Sequence, residues 1–245
     1  LKNFIKYYFY KKIKILRNSS KNEHLGEFGE DIFIRRFFKN EKKGFYVDIG
    51  SYHPIKGSLT YYLFKKGWKG LNVDLSKVSI DLFKISRPGD YNINAGITDF
   101  DGDTEYYESG VINQQNSLIS NNNEKKIKIK AYKLNTLLDN LKISQVDYLN
   151  IDVEGNEFKV ISTFDFQKFH PKLISIEQNI YNSEKIFDEE CHKLLLTKNY
   201  FLGSKIGVTC IYIDKKYEKL MSSIMSVWLF NVRENQLNFL LCNFS

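Results

Sequence analysis

The sequence predicts an α/β fold, a mostly parallel sheet flanked by helices, and three observations predict it. Apolar β-type runs alternate with stretches of helical spacing over most of residues 24–177. Two of those runs, Phe45-Tyr46-Val47 and Val146 to Leu149, lead into Asp48-Ile49-Gly50-Ser51 and Asn150-Ile151-Asp152-Val153-Glu154-Gly155. Each therefore delivers a carboxylate where a buried strand should stop. In open α/β sheets, ligands bind at the carboxyl ends of strands beside a topological switch point. Two acidic strand ends, one with an adjacent glycine, suit a nucleotide-like cofactor held across the sheet edge, with the glycine letting backbone approach the ligand.

The elements follow in order. Residues 1–17 alternate aromatics (Phe4, Tyr7, Tyr8, Phe9) with lysines (Lys6, Lys11, Lys12, Lys14) and read as a basic helix packing its aromatics on the body. A peripheral membrane contact, with the lysines on acidic headgroups, is the competing reading. A polar linker, Asn18 to Glu23, completes an N-terminal segment over 1–23 ahead of the main domain at 24–215. Helical spacing of Leu25, Phe28, Ile32, Phe33 and Phe37 predicts a helix from His24 to Phe38. Strand 45–49, a glycine-containing loop, a helix around 58–66, strand 71–75 and a helix at 77–86 come next. Strand 91–95 precedes a hairpin-like turn at Asp101-Gly102 into 103–107. Residues 109–125, rich in Asn, Ser and Gln, form a loop that would be either a lid or a plain surface segment. Strand 126–132, helix 134–141, strand 146–151, helix 156–163 and strand 172–177 complete the alternation. The apolar stretch within 216–245 is a closing extension of the domain or a subunit interface of a homo-oligomer.

Composition fits a globular enzyme. The 245 residues are 42% hydrophobic and 15% aromatic, too apolar for a disordered chain. The net charge is +7, but Lys2, Lys6, Lys11, Lys12, Lys14 and Arg17 fall within the first 20 residues without an acid. The remainder is nearly neutral, so no nucleic-acid footprint is expected over the surface. Cys191, Cys210 and Cys242 match no disulfide framework or zinc spacing, which fits reduced thiols and a cytoplasmic protein, at the inner face of the membrane if the basic segment docks there. No apolar run reaches the ~20 residues of a membrane span, and the N-terminus does not read as a signal peptide.

Asp48, Gly50 and Ser51 form the first cofactor element. Gly50 and Gly57 do not make the G-x-G-x-x-G spacing that a pyrophosphate requires. An acid-plus-glycine loop better suits S-adenosylmethionine, which carries a sulfonium and an ammonium. Asp74, with Leu75 beside it, ends the second strand 26 positions after Asp48 and can accept both ribose hydroxyls. Asn94-Ala95 at the third strand end would sit beside the adenine. A simpler role is open to Asp48, as a cap of the following helix.

Gly29-Glu30-Asp31, Phe45 to Pro54, Gly67-Trp68-Lys69-Gly70-Leu71-Asn72-Val73-Asp74, Asn94-Ala95-Gly96-Ile97 with Asp101-Gly102, Leu134 to Leu138 and Asp147 to Glu157 occur in one order. Together they resemble FkbM-type S-adenosylmethionine-dependent methyltransferases over roughly residues 24–180. The resemblance implies a class I, Rossmann-like fold and methyl transfer, most often to a hydroxyl. By family analogy the acceptor is a sugar, a nucleotide-sugar, a polysaccharide precursor or another small molecule. Ser51 stands where the family more often has Ala, a departure between two small residues.

Methyl transfer from a sulfonium is an in-line displacement that needs the acceptor oxygen held close and its proton removed. His53, Asp152, Glu154 and Glu177 all follow strand ends on one edge and are the candidate catalytic residues. His53 suits a general base near neutral pH, unless it merely satisfies backbone in its loop. Alternatively His53, Asp152 and Glu177 would ligate a divalent metal (Mn, Fe or Mg) that lowers the hydroxyl pKa. Glu154 and Glu157 also suit charge stabilisation at a helix start. Two other functions compete. A nicotinamide-dependent oxidoreductase lacks its glycine motif here, and a non-catalytic membrane-associated scaffold would have no need of Asp48, Gly50, Asp74 and Asp152.

Overall fold

The computed structural model describes residues 24–108, 125–180 and 183–220. The basic aromatic segment, nearly all of the Asn-rich loop and residues 221–245 lie outside those described. In chain order the elements are α1 (Glu30–Phe37), β1 (Phe45–Ile49), α2 (Tyr61–Lys65), β2 (Lys69–Asp74), α3 (Lys77–Ser86), β3 (Tyr91–Asn94) and β4 (Gly96–Ile97). Then come β5 (Gly102–Glu108), β6 (Lys125–Tyr132), α4 (Leu134–Asn140), β7 (Tyr148–Ile151), α5 (Glu157–Ser162) and β8 (Leu173–Glu177). A 3-10 segment (Ser183–Asp188), α6 (Glu190–Thr197), β9 (Tyr200–Ile206) and β10 (Thr209–Asp214) close the described chain before a short 3-10 turn. Among the described residues no helix is long and apolar enough to cross a membrane.

Seven strands form one sheet in the order β3-β2-β1-β7-β8-β10-β9. Neighbours from β3 through β8 are parallel, and β10 runs antiparallel between β8 and β9. This is the expected Rossmann-like sheet flanked by helices. Chain order reverses between β1 and β7, so their carboxyl ends frame the switch point. The sheet is covered on both faces, and alternate residues of a strand serve opposite layers. Val47 and Ile49 pack with Leu134, Leu138, Val160 and Leu195 of α4, α5 and α6. Tyr46 packs the other way, with Ile34 and Phe37 of α1, Leu63 of α2 and Trp68.

Three expectations change. The first helix starts at Glu30 instead of His24, because Gly29 adopts φ 89° and the chain turns there. Strand 103–107 does not fold back on β3; β5 pairs antiparallel with β6, and β4 joins them as a separate three-stranded sheet. Residues 178–219, for which periodicity assigns no element, supply α6 and the β9–β10 hairpin.

A polar network ties β1 to the loop that follows it. Arg87, at the end of α3, is fully buried. Its guanidinium donates to Thr60 Oγ1 (2.8 Å), Ser58 Oγ (2.9 Å), the Tyr46 hydroxyl (3.2 Å) and the Pro54 carbonyl. Thr60 Oγ1 in turn donates to Asp48 Oδ2 at 2.7 Å. Tyr46 donates to Asp90, whose other oxygen accepts from the Gly70 backbone N–H. The rings of Tyr46, Tyr61, Phe64 and Phe83 surround the cation at 4.8–5.8 Å.

Removing this cation should leave several buried acceptors without donors. Arg87→Met is expected to destabilise the fold by about 3–5 kcal/mol in urea unfolding, and Arg87→Lys should recover little of it, because an ammonium cannot reproduce the fork. A loss under about 1 kcal/mol would show that the network does not hold the loop.

Candidate active site

A cavity open to solvent lies at the carboxyl ends of β1, β2, β7 and β8. Segment 27–30 and the β9–β10 turn form its outer wall. Of the residues predicted to form the site, Asp48, Gly50, Ser51, Asp74, Leu75, Ala95, Asp152 and Glu177 line it. Asn94 does not: it is exposed, and its amide donates to the carbonyls of Asp74 (2.9 Å) and Leu75 (2.7 Å), shaping the turn after β2. Glu154 lies next to the lining residues Asp152 and Val153.

Asp48 is buried, and both its oxygens are engaged. Oδ2 accepts from Thr60 and Oδ1 accepts from Asn150 Nδ2 at 2.9 Å. Burial raises its pKa in spite of these donors. Asn150 continues the network, accepting from Ser175 Oγ (2.5 Å), which contacts the Tyr148 hydroxyl at 2.7 Å. Gly50 follows at φ 77°, donating to the Val73 carbonyl at 2.9 Å. A Cβ there would sit 1.6 Å from the Asp152 carbonyl oxygen. The close approach that requires glycine is thus between the ends of β1 and β7, rather than to a ligand.

Asp74 ends β2 with Oδ2 accepting from the Tyr52 N–H (2.7 Å) and Oδ1 from the Ser76 N–H (2.6 Å). Its pKa is pushed up to about 6, chiefly by burial. A carboxylate oxygen accepts more than one hydrogen bond, so Asp74 retains acceptor capacity toward the cavity.

Across the cavity, Asp152, Glu154 and Glu177 bring carboxylate oxygens within 4.8 Å of one another. Asp152 opens to the cavity, but protein surrounds its carboxyl on the remaining sides. Its pKa is raised well above the usual range by that enclosure, then by hydrogen bonding and charge from Glu177. Glu154 is raised to about 7, first by burial and then by the charges of Glu177, Glu157 and Glu27. Glu154 also has φ 53°, and Gly155 follows at φ 97°, so the turn after β7 is left-handed over two residues. Glu157 holds this turn, its Oε1 accepting from the N–H groups of Val153 (3.2 Å) and Gly155 (3.0 Å). Its role is the structural one.

His53 does not join this cluster. It is buried, outside the residues lining the cavity, and its Nδ1 accepts from the backbone N–H groups of Ile55 (3.1 Å) and Lys56 (3.0 Å). Pro54 turns the chain so that the ring caps its own loop. The three acidic groups that meet are Asp152, Glu154 and Glu177, in place of the set containing His53.

Sequence reasoning missed the outer wall. Glu27, Phe28, Val208 and Thr209 line the cavity. Buried Glu30 accepts from the Phe28 N–H (3.0 Å) and Thr209 Oγ1 (3.4 Å), buried Asp31 accepts from the Gly26 N–H (3.0 Å), and the Gly57 N–H donates to the Leu25 carbonyl (2.8 Å). The Gly29-Glu30-Asp31 motif carried that signal without revealing its purpose. Residues 207–209 carried none, since only hairpin pairing brings them there.

The crowded carboxylates carry a pH signature. A folded-state Glu154 pKa of about 7, against 4.5 for the ordinary group, means the folded protein holds the proton more tightly. Its contribution is therefore complete below about pH 4.5 and is lost as pH rises through 7. Glu154→Gln should raise stability by about 1 kcal/mol at pH 8, a value discounted for solvent screening, and leave it unchanged near pH 4. Thermal melts at the two pH values check this; equal effects at both would refute the electrostatic account.

No curated protein and no solved structure matches the chain. The family model for the methyltransferase FkbM domain matches residues 48–201, more than half of the sequence. That span begins at the Asp48 carboxylate, inside β1, and contains the carboxyl end of β1, the whole of β2, β7 and β8, and the whole acidic cluster. The chain belongs to the FkbM methyltransferase family.

Proposed function

We propose that the protein is an S-adenosylmethionine-dependent O-methyltransferase acting on a hydroxyl of a sugar, nucleotide-sugar or polysaccharide precursor. The observation that carries the cofactor assignment is Asp74, a carboxylate oriented by two backbone N–H groups at the end of β2 and lining the cavity. A ribose diol fits such an acceptor. Ser51 Oγ, buried at the same cavity and without a hydrogen-bond partner among the described residues, is a second polar group suited to a ligand. The carboxylates of Asp152, Glu154 and Glu177 favour a cation in their midst, which fits a sulfonium. When bound, S-adenosylmethionine supplies the activated methyl group.

The chain's own residues orient and deprotonate. Asp74 fixes the ribose, and the Gly50-Ser51 turn supports the adjoining part of the cofactor. Glu154, near pKa 7, can take a proton from an acceptor hydroxyl at neutral pH. His53, committed to its own loop, is not needed as the base.

A second reading uses the same three carboxylates to ligate a divalent cation. An all-oxygen set leans toward Mg²⁺ or Mn²⁺, and the cation would acidify the hydroxyl as a Lewis acid.

Calorimetric titration with S-adenosylhomocysteine tests the assignment. Micromolar binding is expected, weakened by roughly 2–4 kcal/mol in Asp74→Ala. It should also weaken as pH falls below 6, where Asp74 protonates and loses acceptor strength. Absence of binding, or binding indifferent to Asp74→Ala, overturns the proposal.

Asp152→Asn should fold normally and lose most turnover. Full turnover after exhaustive chelation would eliminate the metal reading, whereas loss with rescue by one specific cation would establish it.

A further inference from the structure

The cavity is lined by six acidic residues, Glu27, Glu30, Asp48, Asp74, Asp152 and Glu177, and by no Lys, Arg or His among the described residues. This holds in a chain of net charge +7. Phosphate recognition uses Arg, Lys or a helix N-terminus as the positive partner. Here the described walls offer a phosphate only like charge, which disfavours a wrong ligand strongly.

The outer wall presents one large apolar surface. Phe28 is 53% exposed, an unusual setting for a phenylalanine on a cavity wall. Its ring is nevertheless packed on one side. That side lies against Gly207, where a Cβ would come within 2.3 Å of Phe28 Cδ2, and its backbone N–H is held by buried Glu30. Two buried carboxylates, Glu30 and Asp31, are committed to this one turn. Burying carboxylates to set a turn is costly, and the turn delivers Phe28 and the exposed carboxylate of Glu27 to the cavity mouth. An aromatic face beside an acid suits a ring with C–H groups on one side and hydroxyls at its edge.

We infer that the acceptor is a sugar ring free of phosphate and carboxylate, stacked on Phe28 with a hydroxyl or ammonium edge toward Glu27. This rests on the hydroxyl-methylation reading above and narrows it, since it removes acceptors whose reacting ring is itself phosphorylated. The acid surplus additionally favours an amine substituent on that ring. Phe28 and Glu27 are specificity-determining residues for the acceptor, and the Asp74 side of the cavity serves the cofactor.

Saturation-transfer NMR on protein saturated with S-adenosylhomocysteine, in EDTA, provides the test. The probes are methyl glucoside, glucosamine and glucose 6-phosphate at millimolar concentration. Glucosamine and methyl glucoside should bind, and glucose 6-phosphate should bind at least tenfold more weakly. Phe28→Ala should abolish sugar binding while S-adenosylhomocysteine affinity and melting temperature stay near wild type. Glu27→Lys, at an exposed position, should bring glucose 6-phosphate up to the level of methyl glucoside. The inference is overturned if the phosphate binds as well as the neutral sugar to the wild type, if no sugar binds, or if Phe28→Ala leaves sugar binding intact. It is equally overturned if Phe28→Ala weakens S-adenosylhomocysteine itself, which would assign the ring to the cofactor. Failure of S-adenosylhomocysteine to bind the wild type would instead defeat the methyltransferase reading beneath it.

Discussion

The Asp48 carboxylate is the constraint on which the site depends. It is buried under the switch point, so each oxygen must be met by a donor from within the protein. Asn150 reaches it from β7 and Thr60 from the loop before α2, and each is in turn fixed by a further partner, Ser175 or Arg87. One buried acid thereby sets the relation of β1, β7, β8 and the 53–60 loop. Such a network is valuable only when complete, since a half-satisfied one is worse than an apolar core. That explains why the guanidinium of Arg87, distant in sequence, has donors directed at five side-chain or backbone oxygens of the same region.

Above this satisfied layer lies one that is electrostatically incomplete. Asp152, Glu154 and Glu177 repel one another, and the left-handed turn at Glu154 and Gly155 holds them together. The two layers divide the work: the lower provides rigidity, and the upper keeps unfavourable charge in place where a positive ligand or a proton relieves it. Active sites characteristically trade stability for such preorganisation.

Much of the sheet was legible in the sequence because buried parallel strands read as continuous apolar runs. β1, β2, β7 and β8 were found within two residues at each end, and the acids at their ends did mark the cavity. What escaped was whatever depends on contacts between distant segments. His53 looked like a base because motif position says nothing of ring direction, and the backbone of Ile55 and Lys56 claimed it. Gly50 was correctly singled out, but the neighbour that excludes a side chain is the Asp152 carbonyl, a hundred residues away. Arg87 carried no motif at all. The early turn at Gly29 was hidden by Leu25 and Phe28, whose helical spacing is real, although Phe28 serves the cavity wall and the Leu25 carbonyl accepts from Gly57.

The position of β10 has a consequence for how the molecule comes into being. It is the last strand described, yet it is threaded between β8 and β9 instead of being added at an edge. As the chain leaves the ribosome, β8 and β9 must therefore wait with unpaired edges until β10 inserts. Residues 207–209, which close the cavity and receive Phe28 and Glu30, reach their places only in that step. Nascent chains ending before Asp214 would carry the acids of the site without the β9–β10 part of its wall in place. Competence to bind is thus acquired late in biosynthesis, as one event, with the closing of the sheet.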